Sequence, residues 1–278
     1  MDIKKYLNFI KVEHTLFSLP LIYAGVFLAS EDLPSVKLIL LVLFAAIFAR
    51  ISAMTANRII DAEIDKRNPR TKGREIPSGK ISRTKAYIIL ILSLAGYFVT
   101  AYLISPFCFY LSPIPIVIFI FYPYMKRFTY FAHFGVGLGL SMGPLGGWFA
   151  VKNSFDNITP GALLSLFTLF WATSFDIIYS TLDEEFDRSN GLKSFPVKFG
   201  KKKALFYSLV LHIISYLILF ILFISQIRNI LSFIFLIAVG VLYYFEHKFA
   251  EKDVELAFFK LNAIVSFTVF LMVIVRGF

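Results

Sequence analysis

The sequence predicts an all-helical protein that crosses a membrane many times. Its 278 residues are 58% hydrophobic and 18% aromatic, and the mean hydropathy of +0.74 lies well above that of soluble globular proteins. Apolar runs close to the roughly 20 residues that cross a bilayer recur along the whole chain. A helix buried in a soluble protein would keep a polar face, which most of these runs lack. We therefore expect a polytopic bundle of transmembrane helices, folded as a single domain over residues 1–278.

Nine apolar runs are candidates for membrane-spanning helices, and their predicted ends are defined to within a few residues. They lie at 12–30, 36–61, 84–104, 107–124, 131–151, 160–182, 203–224, 229–246 and 254–275. Because such runs recur to the C-terminus and no small-residue cleavage site follows the first, we interpret the first run as a span rather than as a signal peptide.

The basic residues predict an orientation in the membrane. A formal net charge of +10 could indicate nucleic-acid binding. In a membrane protein, however, such charge is typical of cytoplasmic loops, and here it is concentrated in alternate loops. With the N-terminus inside, the loops after the second, fourth and sixth spans are basic, and the opposite face keeps few basic residues beyond Lys37, Lys152, Arg228 and Arg276. We expect a protein of the cytoplasmic (inner) membrane that embeds in the lipid bilayer, exposes its C-terminus outside and does not bind nucleic acid.

Two spans contain residues that perturb a regular helix. Pro113 and Pro115 fall inside the fourth span and predict a kink or break there. The fifth span is rich in glycine, and the spacing of Gly139 and Gly143 favours close helix packing. An opening of the backbone around a ligand is the alternative, and the two are compatible. The single cysteine, Cys108, lies in an apolar run, which excludes a disulfide framework.

The first polar motif closes the second span. Asn57, Asp61 and Asp65 are spaced four apart, so on a helix they drift by only about 40° per step and share one face. Carboxylate and amide oxygens suit a hard cation such as Mg²⁺. Arg70 and Arg74 follow in the most basic loop of the chain and suit a phosphate group. The stretch therefore predicts a site for a metal and a diphosphate at the membrane surface.

The second polar motif ends the sixth span. On a continuous helix Asp176, Tyr179, Asp183 and Asp187 fall within an arc of about 80°. Asp176 lies inside an otherwise apolar helix, where an ionisable group is costly unless it serves a site or meets a partner. Asp183 and Asp187 lie on the same side of the membrane as the first motif. Together the two motifs could hold two or more Mg²⁺ ions and clamp a diphosphate between them.

A structural role is the alternative interpretation of these carboxylates. They could only cap helix ends and pair with loop lysines. That interpretation suits Glu63, Glu184 and Glu185, whose helical phase points away from the shared faces. It suits the four motif aspartates poorly, because solvated charges need no such repeat. The four histidines form no metal-ligand pattern, and we interpret them as packing or helix-end residues: His14, His133, His212 and His247.

Basic residues elsewhere could complete the site. Arg50 lies seven residues before the first motif, two turns deeper in the second span, where it could pair with an aspartate or hold an anionic substrate group. Tyr122 and Lys126, at i and i+4, end the fourth span and are followed by Arg127. Taken alone, that segment is equally consistent with an interfacial aromatic and basic belt and with a ligand site.

The two motifs resemble those of the UbiA superfamily of membrane aromatic prenyltransferases. The superfamily patterns are Asn-xxx-Asp-xxx-Asp and Asp-xx-Tyr-xxx-Asp-xxx-Asp, and the resemblance runs from about Glu13 to Gly200. Further matching segments are Asn68-Pro-Arg-Thr, Arg74, Pro77-Ser-Gly79 and Tyr122-Pro-Tyr-Met-Lys-Arg-Phe. Glu13-His-Thr-Leu-Phe and the segment 191–200 resemble a UbiA-like branch related to 4-hydroxybenzoate polyprenyltransferases. Part of that branch is thought to act on 1,4-dihydroxy-6-naphthoate in the futalosine route to menaquinone.

The resemblance implies a fold, a cofactor and a set of site residues. The fold would be a nine-helix bundle around a central cavity that opens to lipid, with the acidic motifs at its cytoplasmic mouth. Mg²⁺ bridging the diphosphate of a polyprenyl diphosphate would be held by Asn57, Asp61, Asp65, Asp183 and Asp187. The diphosphate would contact Arg70, Tyr122 and Lys126, with Arg74 and Arg127 as further candidates. Arg50 would bind the carboxylate of the aromatic acid acceptor.

The implied reaction is transfer of the polyprenyl group to a phenolic carboxylate in respiratory quinone biosynthesis. The acceptor would be of the 4-hydroxybenzoate type, with 1,4-dihydroxy-6-naphthoate as the alternative. Tyr179 could stabilise the allylic cation through its ring face, and either Asp176 or the released diphosphate could accept the ring proton. A cation- or proton-coupled transporter is the rival of another class, but it would usually show related halves with paired broken helices at the midplane.

Overall fold

The computed structural model describes residues 3–10 and 15–277, and most of them are helical. Two π-helical turns are Phe223–Ile227, after the helix that ends at Leu222, and Leu256–Leu261, before the helix that begins at Asn262, and a 3-10 turn, Thr181–Asp183, follows the helix that ends at Ser180. The α-helices are α1 (Ile3–Ile10), α2 (Thr15–Ala29), α3 (Val36–Ile60), α4 (Ala62–Arg67), α5 (Arg83–Ile104), α6 (Pro106–Leu111), α7 (Pro113–Met125), α8 (Ala132–Lys152), α9 (Thr159–Ser180), α10 (Glu184–Ser189), α11 (Phe195–Phe199), α12 (Lys201–Leu222), α13 (Ile230–Phe249) and α14 (Asn262–Ile274).

The predicted all-α, multi-pass membrane fold is confirmed. Within the described ranges, eight helical segments are long and apolar enough to cross a bilayer. A shorter apolar helix, Ser18–Ala29, accounts for the first predicted span, whose residues 12–14 lie outside the described part of the chain. The count is therefore close to the nine predicted spans.

The fourth predicted span is broken where its prolines predict. Pro106–Leu111 and Pro113–Met125 form two helices, α6 and α7, separated at Ser112. A proline inside a helix lacks the amide hydrogen for its own bond and clashes with the preceding turn, so Pro113 opens a new helix instead of continuing α6. Pro115 lies in the first turn of α7, where the backbone N–H groups have no partner within the helix.

The glycines of α8 allow close approach of neighbouring helices and also face a cavity. A Cβ atom on Gly147 would lie 2.2 Å from the carbonyl oxygen of Ile22 on α2, and one on Gly137 would lie 2.2 Å from Thr173 Oγ1 on α9. Lipid is as apolar as a leucine side chain, so membrane helices associate through such close fits rather than through the hydrophobic effect. Gly146 has open space beside it and lines the cavity. Close helix packing is therefore confirmed, and an opening of the backbone around a ligand stays a prediction.

The core of the protein lies along α9. Its Phe167, Trp171 and Ile177 side chains are completely buried, and α9 packs between α8 and α12. Helix α2 packs between α8 and α14, while α3 packs against α5 and α7. This arrangement separates a tightly packed C-terminal part from a looser N-terminal part that surrounds the cavity.

The cavity has a volume of about 500 Å³ and lies among α2, α3 and α5–α8. Its walls are almost entirely aliphatic, aromatic or glycine. Arg50 of α3 and Tyr122 of α7 lie at one end. Phe149, at the end of α8, and Phe155, in the loop after it, lie at the other end. The cavity thus runs along the helices from a charged end to an aromatic end.

Candidate active site

The first motif keeps its predicted spacing although the helix that carries it is interrupted. The backbone at Asp61 (φ −94°, ψ 1°) separates α3 from α4. The Asp61 N–H nevertheless donates to Asn57 O at 2.9 Å, and the Asp65 N–H donates to Asp61 O at 2.8 Å. The side chains of Asp61 and Asp65 are only 3% and 5% exposed, whereas Glu63 points outward and pairs with Arg83. The helical phase that separated Glu63 from the motif is confirmed.

Cations from two other segments neutralise the first motif. Lys126 Nζ donates to Asp61 Oδ2 at 2.6 Å, and Arg127 Nη2 approaches Asp61 Oδ1 at 3.4 Å. Arg74 Nη1 lies 2.8 Å from both carboxylate oxygens of Asp65. The end of the fourth span therefore contacts the end of the second span. A ligand site formed by both spans requires this contact, whereas an interfacial belt of aromatic and basic residues would not.

The expectation of one continuous helix for the second motif is wrong beyond Ser180. The Ser180 and Thr181 hydroxyls donate back to Ile177 O and Ile178 O at 2.8 and 2.7 Å. Such side-chain bonds compete with the regular helical ladder, and a 3-10 turn that ends at Asp183 follows. Asp187 therefore lies on the separate short helix α10 rather than on α9.

The loop after the first motif contacts the second. Arg70 binds the Asp183 carboxylate through two nitrogen atoms, with Nε 2.9 Å from Oδ1, and its Nη1 donates to the Tyr179 hydroxyl at 2.7 Å. Asn68, which was not predicted to be a site residue, donates to Asp183 Oδ1 at 2.9 Å. Burial lowers the pKa of Arg70, but its bonds to Asp183 and Tyr179 raise it, and the net shift is upward, so Arg70 stays charged.

These contacts bring the two motifs to one end of the molecule. One helical turn separates Tyr122, which lines the cavity, from Lys126, which binds Asp61. The electrostatic neighbours of the Asp187 carboxyl include Asp183 and Lys126, which places α10 at the same end. We define the mouth cluster as the three ion-paired aspartates and their partners: Asp61, Asp65, Asp183, Lys126, Arg127, Arg74 and Arg70.

The ring of Tyr179 is already enclosed. One contact is a stack against Phe258, with centroids 4.1 Å apart at 25°. The Arg70 guanidinium lies over the ring at 5.0 Å from its centroid. A cation–π contact of the predicted kind is thus made by Arg70. Tyr179 therefore holds Arg70 in this structure, and its contact with an allylic cation stays a prediction.

Asp176 has a partner that sequence reasoning missed. His133 Nδ1 lies 2.7 Å from Asp176 Oδ2, and the interpretation of His133 as a packing residue omitted this contact. A histidine at the start of one span and an aspartate inside the next were both visible, but no periodicity links two different helices.

Two arginines of α3 lie in the membrane-embedded part of the site. Arg50 lines the cavity, as its position two turns below the first motif predicts. Arg58 was not singled out, although it is only 3% exposed and its Nε and Nη1 atoms make no hydrogen bond within the described residues. Its electrostatic neighbours include Asp65, Arg74 and Tyr122. Arg58, like Arg50, is an ionisable group inside an apolar helix, where it is costly unless it serves a site or meets a partner.

The predicted metal ligands have suitable chemistry. The aspartates offer hard oxygen donors, and Asn57 donates Nδ2–H to Asp61 Oδ2 at 3.2 Å, which leaves its own carbonyl oxygen available. Among residues 3–10 and 15–277, no three acidic, histidine or cysteine side chains are already grouped closely enough to hold an ion. Instead each aspartate of the mouth cluster is bound by a cation. The donor set fits Mg²⁺ provided that these cations are drawn to another anion.

Comparison with known proteins identifies the family. The UbiA prenyltransferase family profile matches residues 18–271. The chain is 32% identical over 208 residues to the 4-hydroxybenzoate octaprenyltransferase of Vesicomyosocius okutanii subsp. Calyptogena okutanii (strain HA), covering 75% of this chain and 73% of that protein.

Solved structures agree with this assignment. A UbiA homolog from Aeropyrum pernix K1 has a TM-score of 0.88 at 28% identity, with 96% of this chain and 98% of that chain covered. A UbiA homolog from Archaeoglobus fulgidus, solved with GPP and Mg²⁺ bound, has a TM-score of 0.77 at 21% identity, with 98% and 99% covered, and is similar in fold. The profile match over most of the chain, on a fold of this kind, shows that the protein is a member of the UbiA prenyltransferase family.

Proposed function

We propose that this protein transfers a polyprenyl group from a polyprenyl diphosphate to a phenolic aromatic carboxylate of the 4-hydroxybenzoate type, in a Mg²⁺-dependent step of respiratory quinone biosynthesis. The arrangement of the cavity carries the proposal. Apolar walls suit the prenyl chain, Arg50 and Tyr122 lie where those walls end, and the mouth cluster follows one turn beyond. The relative from Vesicomyosocius okutanii bears the name of the same activity.

Charge balance supports binding of a metal together with a diphosphate. The mouth cluster and Asp187 comprise four carboxylates and four cations, so these eight charges balance without ligands. Mg²⁺ alone would add positive charge, and diphosphate alone would add negative charge. When both bind, Asn57, Asp61, Asp65, Asp183 and Asp187 can turn to the metal while the cations turn to phosphate oxygens.

The residues of this chain then have distinct tasks. Bound Mg²⁺ would supply positive charge that offsets the charge developing on the leaving diphosphate. The diphosphate oxygens accept hydrogen bonds from the four cations of the mouth cluster, Arg70, Arg74, Lys126 and Arg127. These hydrogen bonds strengthen as the allylic C–O bond breaks and negative charge develops on the diphosphate. The apolar walls of the cavity keep water away from the allylic cation.

Arg50 holds the acceptor. Its guanidinium lines the cavity within electrostatic range of Tyr122, below the mouth cluster. A planar fork of donors matches a carboxylate through two parallel hydrogen bonds. With its carboxylate on Arg50, the acceptor presents its ring toward the cation formed at the mouth, and the ring carbon beside the hydroxyl attacks the allylic carbon.

The location of the reaction follows from the basic loops. The cations of the mouth cluster belong to the face that the positive-inside rule assigns to the cytoplasm. We therefore place the mouth and the N-terminus on the cytoplasmic side of the inner membrane, and the C-terminus outside. Both substrates would then enter from the cytoplasmic side or from the lipid.

A transfer assay tests the function. The purified protein, reconstituted in nanodiscs, is incubated with labelled polyprenyl diphosphate, Mg²⁺ and one aromatic acid at a time. We expect lipid-soluble labelled product with 4-hydroxybenzoate or 1,4-dihydroxy-6-naphthoate, none with benzoate, which lacks the activating hydroxyl, and loss of product when EDTA replaces Mg²⁺. Absence of product with every phenolic acid, together with proton- or cation-driven uptake into proteoliposomes, would contradict transfer and favour a transporter.

A further inference from the structure

We propose that His133 is a positioning residue that holds Asp176 ready to accept the proton released from the aromatic ring. The inference rests on the proposed function and extends it to a step for which sequence reasoning left two acceptors open. It assigns Asp176, rather than the released diphosphate, as the proton acceptor, and it gives His133 a task in the reaction.

Both nitrogen atoms of His133 are engaged, which fixes its tautomer. The Phe195 backbone N–H donates to His133 Nε2 at 3.3 Å, so Nε2 is an acceptor. In the neutral imidazole the proton then lies on Nδ1, which donates to Asp176 Oδ2 across 2.7 Å. Only 6% of the His133 side chain is exposed. The ring is therefore held in one orientation with its single N–H directed at the carboxylate.

The second oxygen of Asp176 is available. Across the described ranges, Asp176 Oδ1 accepts no hydrogen bond, in contrast to both oxygens of Asp61, Asp65 and Asp183. Lysine or arginine binds those three carboxylates. The partner of Asp176 is instead the imidazole of His133, which accepts a hydrogen bond at Nε2 and so carries no charge in this arrangement. His133 therefore fixes the orientation of the Asp176 carboxylate without neutralising its charge.

Asp176 lies beside the charged end of the cavity, next to the residues that line it. Its side chain is 23% exposed, whereas its neighbours Phe175 and Ile177 are buried. On α9 it shares a face with Tyr179, which contacts Arg70 of the mouth cluster. Asp176 and Arg50 are both electrostatic neighbours of Tyr122, which lines the cavity. Because both residues neighbour Tyr122, we expect the ring of an acceptor anchored on Arg50 to come close to Asp176.

The same loop secures His133 and the diphosphate side of the site. Phe195, whose N–H binds His133, begins α11. Two residues earlier, the Lys193 N–H donates to Lys126 O at 2.8 Å. The segment between α10 and α11 thus connects the residue that orients Asp176 to the residue that binds Asp61. We therefore expect the position of Lys126 in the mouth cluster and the orientation of Asp176 to depend on each other.

Proton transfer to Asp176 completes the substitution on the aromatic ring. Attack of the ring carbon on the allylic carbon forms the new C–C bond and leaves that ring carbon with both its hydrogen and the prenyl group. Asp176 Oδ1 takes the hydrogen as a proton, and the electron pair of the C–H bond returns to the ring and restores aromaticity. His133 keeps its own proton and stabilises the required orientation of the carboxylate. The protonated Asp176 then releases its proton to solvent at the mouth.

A deuterium isotope effect tests the assignment. With ring-deuterated 4-hydroxybenzoate, the parent protein should show an isotope effect near unity, because ionisation of the allylic diphosphate precedes proton loss and limits the rate. In His133→Ala, proton loss becomes slow, so we expect kcat to fall by about tenfold or more, KM for both substrates to stay within about twofold and the isotope effect to rise. Asp176→Asn should give a larger fall in kcat and the same rise.

A conservative variant separates positioning from folding. The amide of His133→Asn can still donate to Asp176, so this variant should recover much of the lost kcat and lower the isotope effect again, even if His133→Ala folds poorly. An isotope effect that stays at the parent value in both His133→Ala and Asp176→Asn would overturn the inference in favour of the diphosphate. If the parent protein itself shows no transfer activity, the proposed function is contradicted instead.

Discussion

The mouth cluster and a second polar cluster among the C-terminal helices differ in what surrounds them. Side chains of the mouth cluster are partly exposed on the cationic side, and one turn away the cavity begins. The second cluster is buried except for His247, which is partly exposed. Within the described part of the chain, none of its members lines the cavity, and we define the C-terminal cluster as Trp171, His212, Ser215, Tyr243, Glu246, His247 and Asn262.

Most hydrogen bonds of the C-terminal cluster converge on Asn262. Trp171 Nε1 donates to Asn262 Oδ1 at 2.6 Å, and Asn262 Nδ2 donates to Glu246 Oε1 at 2.9 Å. The same amide donates to Ala257 O and Phe258 O at 3.0 and 3.1 Å. These two carbonyls belong to the π-helical turn before α14, where the regular ladder is disrupted. Asn262 therefore satisfies backbone groups that lipid could not.

The histidines of this cluster complete it by packing. His212 stacks on Tyr243 with centroids 4.1 Å apart, and its Nδ1 lies 2.9 Å from His247 Nε2. The Tyr243 hydroxyl and Ser215 Oγ are 2.9 Å apart. The interpretation of His212 and His247 as packing residues agrees with these contacts.

The comparison teaches that an ionisable residue inside a membrane helix does not by itself identify a reaction site. Glu246 is as deeply buried as Asp61, yet it accepts its hydrogen bond from an amide, that of Asn262. The nearest ring nitrogen, His212 Nε2, lies 3.9 Å from its other oxygen. Asp61 lies next to the charged end of the cavity, and the cations that bind it could be drawn away by a substrate. The clusters are connected, because Phe258 of the π-helical turn stacks on Tyr179. The C-terminal cluster thus helps to position Tyr179 and, through it, Arg70 of the mouth cluster.

The largest expected effect comes from Asp61→Asn, which keeps the size of the side chain and removes its charge. We expect transfer activity to fall by at least about a hundredfold, since loss even of outer-shell metal partners costs about 10–100-fold. The matched control, Glu63→Gln in the same motif, changes an exposed residue and should leave activity within about twofold.

Thermal unfolding distinguishes a lost site from a lost fold in Asp61→Asn. The parent and the Glu63→Gln protein should gain stability when Mg²⁺ and a polyprenyl diphosphate are added together, because a ligand that binds only the folded state stabilises it. Asp61→Asn should keep its melting temperature without ligands and gain little with them. Full turnover in this variant would remove Asp61 from the metal site.

The second prediction concerns the acceptor. Arg50→Ala should raise KM for the aromatic acid by about 10–100-fold, which corresponds to the roughly 1.5–3 kcal/mol of hydrogen bonds to a charged group. KM for polyprenyl diphosphate should change little, because the mouth cluster is intact. Arg50→Lys keeps the charge but not the planar guanidinium, so its KM for the aromatic acid should lie between those of the parent and of Arg50→Ala. Equal increases of both KM values would contradict the assignment of Arg50 to the acceptor.

The third prediction tests the C-terminal cluster. Asn262→Ala removes the partner of Trp171, Glu246 and two backbone carbonyls, and each buried group left without a partner costs about 1–3 kcal/mol. We expect a lower melting temperature and nearly unchanged KM values. Glu246→Gln is the matched control, because glutamine keeps the oxygen that accepts from Asn262 and should leave stability close to that of the parent. A large loss of turnover in stable Glu246→Gln would show that the C-terminal cluster acts in the reaction.

What the sequence could predict follows from the range of the signals that it carries. Asn57, Asp61 and Asp65 lie within two turns of one helix, so their common face could be predicted from periodicity alone. The Arg50 position follows from the same helix. The spans follow from hydropathy, and the break before Pro113 follows from its missing amide hydrogen.

The remaining features depend on contacts between distant segments. The bonds of His133 to Asp176 and of Asn68 to Asp183 join residues 43 and 115 positions apart, and no local pattern indicates such pairs. The 3-10 turn after Ser180 depends on hydroxyl bonds that compete with the helix, and the π-helical turn before Asn262 depends on a buried amide. Periodicity assumes an unbroken helix, so it fails where side chains replace backbone partners.

The smallest effect is expected at the aromatic end of the cavity. Phe107, Phe149 and Phe155 form a cluster with centroid distances of 5.3–5.4 Å, and the last two line the cavity. Each aromatic pair contributes about 0.5–1.5 kcal/mol, so Phe155→Ala should loosen this wall without unfolding the protein. Since the mouth is unchanged, kcat for a short prenyl diphosphate should stay near that of the parent. The ratio of kcat/KM for long over short prenyl chains should rise severalfold. Phe206→Ala, on the exposed face of α12, is the control and should leave that ratio unchanged. An equal ratio in both variants would mean that the chain leaves the cavity before reaching the aromatic end, and that the lipid rather than Phe155 accommodates its length.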